Sequence, residues 1–255
     1  MHDLFDVTGK LALVTGSSRG LGRSLALALA QAGARVVLHG RDEAALADTR
    51  SAIAEATGAE AIAVAFDVTD ASAVETAISG IISDHGVPDI LVNNAGLQRR
   101  APFTEFAVDD WDAIVASNLS SAFYVSRFVT PGMAERGSGK VINVGSVQSQ
   151  LARQTIAPYS ATKGGIVMLT KGMAADLARF NVQVNAISPG YFATEMNKAL
   201  VEDETFNTWL INRTPAQRWG DFKELWGTLM YLASDASSFV SGQNIFVDGG
   251  MTAVV

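Results

Sequence analysis

The feature that most restricts this chain is a glycine-rich turn, Thr15-Gly16-Ser17-Ser18-Arg19-Gly20-Leu21-Gly22, set between a β-branched run and a segment of helical spacing. A strand that passes through such a turn straight into a helix opens a βαβ unit, and the helix N-terminus then presents free amides to an anion. The pattern is G-x-x-x-G-x-G, not the commoner G-x-G-x-x-G. Gly16 is expected to permit the tight turn and Gly22 to let helix and strand pack closely. Gly20 should let backbone approach a pyrophosphate, with Ser18, Arg19 and Leu21 alongside.

The rest of the chain repeats the unit. Runs at 11–15, 35–39, 61–66, 90–92, 140–144, 183–187 and 244–247 read as buried parallel strands. Leu21, Leu25, Ala28, Leu29 and Ala32 recur at helical spacing and end at Gly33, and Asp42 can cap a helix carrying Ala45, Leu46, Thr49 and Ile53. This alternation predicts right-handed crossovers and an α/β fold, a single-domain Rossmann-like doubly wound parallel sheet over 1–255 with helices on both faces. A chain of 255 residues that is 48% hydrophobic and 18% charged suits one large core. Residues 189–214 lack periodicity and form a candidate substrate lid, followed by a helix at 223–233. In open α/β sheets ligands lie outside the carboxyl ends of the strands, so residues just after each strand should carry function.

Composition removes several classes of chemistry. The net charge of −7 argues against nucleic acid or an anionic membrane as partner. No run approaches the ~18 apolar residues of a membrane helix, and the acidic start Met-His-Asp-Leu-Phe-Asp differs from a basic secretory signal, so a cytoplasmic protein is expected. Without cysteine there is no disulfide, thiolate or cysteine-zinc site. His2, His39 and His85 have no ligand spacing, so no metal is expected and they read as structural or solvent-facing. A small molecule is the expected partner.

The second strand ends in Leu38-His39-Gly40-Arg41, with no acid at its tip to bond a ribose. Arg41 and Arg19 could grip a 2′-phosphate, which predicts NADP over NAD; the alternative leaves Arg41 solvated beside Asp42 and Glu43. After the third strand, Asp67 could accept from an adenine amino group with Val68 on the ring, or Asp67 could simply close a turn. The fourth strand runs into Asn93-Asn94-Ala95-Gly96, small enough to pass beside a cofactor, with amides able to lock neighbouring strands.

Ser146 follows the fifth strand, and Tyr159-Ser160-Ala161-Thr162-Lys163 opens the next helix. Residues four apart share a helix face, so the Tyr159 phenol and Lys163 ammonium can approach one site. A positive charge about 4 Å from a phenol of pKa ~10 favours phenolate, and a net lowering of a couple of units is expected. With the glycine turn, Asn93-Asn94-Ala95-Gly96, Asn118 and Pro189-Gly190 in order and approximate spacing, the chain resembles the short-chain dehydrogenase/reductase family over essentially its whole length. The resemblance implies reversible oxidation of a secondary alcohol by a nicotinamide cofactor, with Tyr159 as acid/base and Ser146 holding the reacting oxygen. It further implies Lys163 on the nicotinamide ribose, Asn118 in a water-linked proton relay, and Pro189, Gly190 and Thr194 at the nicotinamide amide. A homotetramer through paired helices and the C-terminal strand is also implied.

The substrate is less sharply written. Leu97-Gln98-Arg99-Arg100 puts two guanidiniums beside the expected mouth, and Arg100 or Arg99 is a candidate carboxylate anchor, with solvated surface or a subunit contact as the alternative. Gln148 and Gln150 could bond sugar hydroxyls, Glu195 could do the same or cap a helix, and Trp209 and Trp219 read as core or interface. The stretches 97–100, 156–159 and 189–195 resemble gluconate 5-dehydrogenases within the family. This implies a polyol or keto acid substrate, interconverting D-gluconate and 5-keto-D-gluconate. A 3-oxoacyl carrier-protein reductase and a 2-keto-3-deoxygluconate dehydrogenase remain alternatives. A cofactor-sensing regulator without turnover would have a damaged Tyr or Lys, and both are intact.

Overall fold

The structure is a computed structural model that describes residues 2–193 and 198–255. Seven apolar runs form strands β1 (Leu11–Val14), β2 (Arg35–Gly40), β3 (Ile62–Ala65), β4 (Ile90–Asn93), β5 (Gly139–Val144), β6 (Val182–Pro189) and β7 (Asn244–Val247). They pair in parallel in the order β3-β2-β1-β4-β5-β6-β7. The order reverses between β1 and β4, the switch point at whose carboxyl end a crevice opens. The expectation of uniformly buried strands fails at the edges. β5 and β6 are buried throughout, but β3 alternates between half-buried and exposed and β7 is half-buried, because an edge strand lacks a neighbour on one side.

Helices α1 (Gly20–Gln31), α2 (Glu43–Thr57), α3 (Ala71–His85), α4 (Val108–Val115), α5 (Ser121–Arg136) and α6 (Ala157–Leu177) precede the short α7 (Lys198–Val201), α8 (Glu204–Arg213) and α9 (Trp226–Ala233). Side chains alternate across each strand, so Ala12 and Val14 of β1 join Leu25 and Leu29 of α1 and Leu229 and Leu232 of α9 on one face. Leu11 and Leu13 join Val74 and Ile78 of α3 and Val125, Val129 and Met133 of α5 on the other. Two helix layers therefore cover the sheet, as a doubly wound fold requires. Among the described residues no helix is long and apolar enough to cross a membrane.

Three expectations change in detail. The stretch 189–214 holds two helices, the second capped by Asp203, whose carboxylate accepts from Thr205 N and Phe206 N. The helix expected at 223–233 begins as a 3-10 turn, Phe222–Leu225, under an Asp221–Glu224 capping box. Between α4 and α5 the chain makes a π turn, Ala116–Ser120, which carries Asn118.

A buried amide network fixes the carboxyl ends of β4 and β5. Asn93 Nδ2 donates to Ser126 Oγ at 2.9 Å and Asn143 Oδ1 at 2.8 Å, while Asn143 Nδ2 donates to Thr170 Oγ1 at 2.9 Å. These bonds tie both strands to α5 and α6. Replacing Asn143 by Leu leaves Asn93 Nδ2 without one acceptor and Thr170 Oγ1 without its donor. Urea unfolding should show a loss of about 2–4 kcal/mol, and an unchanged midpoint would mean that the network contributes nothing.

Candidate active site

The glycine turn has the shape its residues suggest. Gly16 and Gly20 are left-handed, with φ of +63° and +56°. A Cβ on Gly22 would lie 2.2 Å from Gly16 O and 2.4 Å from Asn94 Nδ2, so only glycine lets α1 nest against the turn. Asn94 clamps the turn from the far side of the switch point: its Nδ2 donates to Thr15 O at 2.9 Å and Gly16 O at 3.0 Å. The backbone amides of Asn94 and Ala95 both donate to Thr15 Oγ1.

Helix α1 offers an anion an uncapped N-terminus at the end of the glycine turn. Aspartates cap α2, α3 and α8, whereas α1 begins at Arg19 with no side-chain cap and no acid in its first turn. Its first amides are left to a ligand, the fit that a dinucleotide pyrophosphate requires. Around it, Arg19 and Arg41 are exposed. Arg41 lies 3.8 Å from Asp67, both exposed and therefore weakly coupled. Asp67 closes an Asx turn, accepting from Thr69 N and Oγ1, and these bonds with Arg41 nearby hold its pKa below the usual carboxylate range. Val68 is buried.

His39 is the structural histidine of the three, and its work lies at this turn. Its Nδ1 accepts from Gly16 N at 3.0 Å, Nε2 meets Phe66 O at 3.1 Å, and the ring packs 4.0 Å from that of Phe66. An imidazole that accepts at Nδ1 and donates at Nε2 is neutral. Sequence reading gave it no such place, since a strand residue named for burial carries no sign of which amide it meets.

The catalytic candidates converge. Ser146 follows β5; its Oγ accepts from Gln148 N at 3.1 Å, and its amide donates to Ser188 Oγ at 3.1 Å. Tyr159 stands in the first turn of α6 and Lys163 one turn on, with Nζ 5.6 Å from the Tyr159 ring centroid. Lys163 is buried and donates to Val144 O at 2.7 Å. An ammonium carries three donors and this bond uses one, leaving donors for a ribose or water. Asn118 accepts from Leu97 N at 2.7 Å and donates to Leu97 O at 2.9 Å and Thr162 Oγ1 at 3.3 Å. Its amide thus fastens the loop after β4 to α6, between Tyr159 and Lys163.

The electrostatics correct one expectation. Burial raises the pKa of Tyr159, against the bond from Ser146 and the field of Arg100, so the net lowering expected from Lys163 is absent in the protein's own field. The reason is mutual desolvation: burial brings Lys163 down to about 8, and its ammonium is directed at the Val144 carbonyl.

Of the substrate candidates, Arg99 pairs with Asp110 at 3.5 Å on the surface and Gln150 is exposed. Arg100 is exposed, yet partial burial and the charge of Arg153 lower its pKa, while Tyr191 and Tyr159 raise it. Gln148 is buried and its Nε2 reaches Tyr191 OH at 3.4 Å. Pro189 ends β6, and a Cβ on Gly190 would lie 2.7 Å from Asp248 Cα. Thr194 and Glu195 lie outside the described residues. Trp219 packs with Tyr191 and Phe206 at the pocket wall and bonds Asn207 Oδ1, while Trp209 is half-exposed against the same rings. Arg153, which the sequence analysis passed over, also belongs here, with Cζ 5.1 Å from the Phe206 ring. Its place in a loop between Ser146 and Tyr159 was the available signal.

A family model described as enoyl-(acyl carrier protein) reductase matches residues 16–252. The chain belongs to the short-chain dehydrogenase/reductase family. It is 52% identical to the gluconate 5-dehydrogenase of Gluconobacter oxydans (strain 621H), covering 98% of this chain and 97% of that one. It is 50% identical to the 5-keto-D-gluconate 5-reductase of Escherichia coli (strain K12) over all of both chains. A crystal structure of a gluconate 5-dehydrogenase from Burkholderia cenocepacia J2315 in complex with NADP and tartrate superposes with a TM-score of 0.96 at 51% identity, covering 99% of each chain. The protein is a short-chain oxidoreductase.

His39 supplies a pH test of the turn. Burial pushes its pKa down to about 4 from 6.5, so the unfolded chain binds the extra proton first as pH falls. Stability is full above about pH 6.5 and declines as pH falls toward and through 4. His39→Asn retains an acceptor for Gly16 N without titrating. Between pH 7 and 4.5 wild type should lose about 2–3 kcal/mol more than this variant in urea unfolding. Parallel losses in the two proteins would show that His39 does not titrate as described.

Proposed function

We propose that the protein is an NADP-dependent dehydrogenase of a sugar acid, reversibly oxidising D-gluconate to 5-keto-D-gluconate. The observation that carries the substrate reading is the Arg100 guanidinium, an exposed charge whose field reaches the phenols of Tyr159 and Tyr191 and which has no carboxylate partner among the described residues. A guanidinium in that position suits the carboxylate of a hydroxy acid whose carbinol reaches Tyr159. The full-length likeness to proteins named for gluconate and 5-keto-D-gluconate supports the same reading.

The residues that would hold the cofactor are Gly16, Ser18, Arg19, Gly20, Leu21 and Gly22 at the pyrophosphate and Arg41 with Arg19 at the 2′-phosphate. Asp67 and Val68 would meet the adenine, and Asn94, Ala95, Gly96, Pro189, Gly190 and Thr194 would line the nicotinamide half. NADP supplies the hydride acceptor. Ser146 holds the substrate oxygen, and Tyr159 takes the hydroxyl proton as the carbon gives up its hydride. Lys163, with donors left after its bond to Val144 O, would hold the nicotinamide ribose, and Asn118, which fastens the loop after β4 to α6, would support a water-linked proton relay. Arg100 fixes the acid end and Gln148 a hydroxyl.

Exposed Trp111, Phe123 and Met168 on α4, α5 and α6 support a homotetramer, for which light scattering should give about four times the 26.9 kDa chain mass.

Mixing the protein with D-gluconate and NADP should give reduced nicotinamide absorbance, and 5-keto-D-gluconate with NADPH should consume it. No turnover in either direction from folded protein that binds NADP would retire gluconate. Tyr159→Phe should lower kcat at least ~100-fold without changing NADP affinity. Burial holds the phenol protonated, so oxidation should accelerate as pH rises through the alkaline range while reduction slows, and a flat profile in both directions would remove Tyr159 as acid/base. Arg41→Ser should reduce the preference for NADP over NAD about tenfold, and an unchanged ratio would assign the 2′-phosphate elsewhere.

A further inference from the structure

The geometry points to Arg153 as a second cation of the substrate pocket, which acts with Arg100 to select hydroxy acids by their carboxylate; this rests on the sugar-acid reading above. Arg153 lies in the loop between Ser146 and the helix that carries Tyr159, so its anchor is separate from that of Arg100 in the loop after β4. Its Cζ sits 5.1 Å from the Phe206 ring, and Phe206 packs 5.7 Å from Tyr191. The Tyr191 hydroxyl in turn meets Gln148 Nε2, which joins Arg153 to the pocket beside Ser146.

Two unmet hydrogen-bonding groups stand out in this cluster. Arg153 Nε is buried without an acceptor, and Gln148 Oε1 is buried without a donor. They do not satisfy each other. Arg153 also stands close enough to Arg100 to depress its pKa, and among the described residues no carboxylate pairs with either guanidinium. Two like charges with no counter-ion, a buried N–H and a buried acceptor call for one ligand that is anionic at one end and carries hydroxyl donors. A polyhydroxy carboxylate is such a ligand. A neutral alcohol leaves both guanidiniums uncompensated, and a plain fatty acyl chain leaves Gln148 Oε1 unmet as well.

The aromatic surroundings give the charge its selectivity. Phe206, backed by Tyr191 and Trp219, covers one side of Arg153, whose Nε is buried, so its attraction for an anion is less screened than that of the surface pair Arg99–Asp110. Arg153 is a binding and specificity residue, distant from proton transfer, and its loss should appear in KM.

The test uses Arg153→Met, which keeps most of the apolar stem, and Arg153→Lys, which keeps the charge. In the holoenzyme with NADP, Arg153→Met should raise KM for D-gluconate about 10- to 100-fold with kcat changed less than about threefold. Arg153→Lys should recover part of that loss, and NADP affinity should be unchanged in both. Tartrate, the anion found with NADP in the Burkholderia enzyme, gives a second readout independent of turnover: calorimetric titration should show at least about tenfold weaker binding to the Arg153→Met enzyme–NADP complex. Unchanged KM and unchanged tartrate affinity in a variant with wild-type melting overturn the proposal, as does an equal loss in the Met and Lys variants. If wild type fails to oxidise gluconate while tartrate binding still depends on Arg153, the gluconate reading falls and the anion site stands.

Discussion

Asn94 reaches across the switch point to Thr15 O and Gly16 O, and the cofactor turn has its shape because of that reach. Past the end of β1 only two backbone bonds continue, Thr15 N to Val92 O and Ser17 N to His39 O, and side-chain bonds add the rest. Thr15 Oγ1 receives the amides of Asn94 and Ala95, and His39 receives that of Gly16 from the other neighbouring strand. Gly22 completes the closure, since a Cβ there would meet both Gly16 O and the Asn94 amide. The same device recurs one strand further on, where Asn93 and Asn143 bind β4 and β5 to α5 and α6. Ser188 Oγ accepts from Ser146 N and donates to Asn244 Oδ1, which carries the chain of bonds to β7. The loops after β1, β4 and β5 thus begin from strand ends fixed on both sides, the preorganisation that a site needs if its groups are to meet a ligand without rearrangement.

Burial at that rim sets the state of each titratable group. His39 is kept neutral, Tyr159 protonated, and Lys163 brought to about 8, all chiefly by desolvation. A protonated phenol is the form that donates to a ketone oxygen, and it becomes a base when further positive charge gathers beside it. The chain carries a net charge of −7, yet the described pocket around Tyr159 presents Arg100, Arg153 and Lys163 without a carboxylate partner. Net charge describes what the whole surface repels; the local field describes what the cleft attracts.

The sequence made the central sheet, the glycine turn and the Ser146, Tyr159, Lys163 set legible, because each depends on residue type at short spacing. Buried parallel strands are continuous apolar runs, and a left-handed turn requires glycine wherever the rest of the chain lies. What escaped depends on distance in space. The exposure of β3 follows from its place at the edge, which no run of letters states. The π turn at Ala116–Ser120 differs from an α-turn by one residue of register, and composition is indifferent to it. The lowering expected for Tyr159 assumed that an ammonium four residues away aims at the phenol. Lys163 instead bonds the Val144 carbonyl at the end of β5, a contact between helix and sheet that spacing within the helix does not state. Arg99 and Arg100 are adjacent, chemically alike and both exposed, but one pairs with Asp110 while the other lies in the field of Arg153, Tyr191 and Tyr159, a difference set by neighbours distant in sequence.

That separation shows how the fold divides its labour. Of the reaction centre, Tyr159 and Lys163 share the regular helix α6, while Ser146 sits two residues past β5, its amide held by Ser188 Oγ. The residues that would recognise the acid end come from three irregular stretches: Arg100 after β4, Gln148 and Arg153 after β5, Tyr191 after β6, with Phe206 of α8 packed behind them. Tyr191 joins these stretches, since its ring contacts Phe206, Trp209 and Trp219 while its hydroxyl meets Gln148. The ring under Arg153 and the partner of Gln148 are therefore packed against each other. The catalytic helix is held by other bonds, those of Asn143 to Thr170 and Asn118 to Thr162, both buried and neither made by a residue of that aromatic cluster.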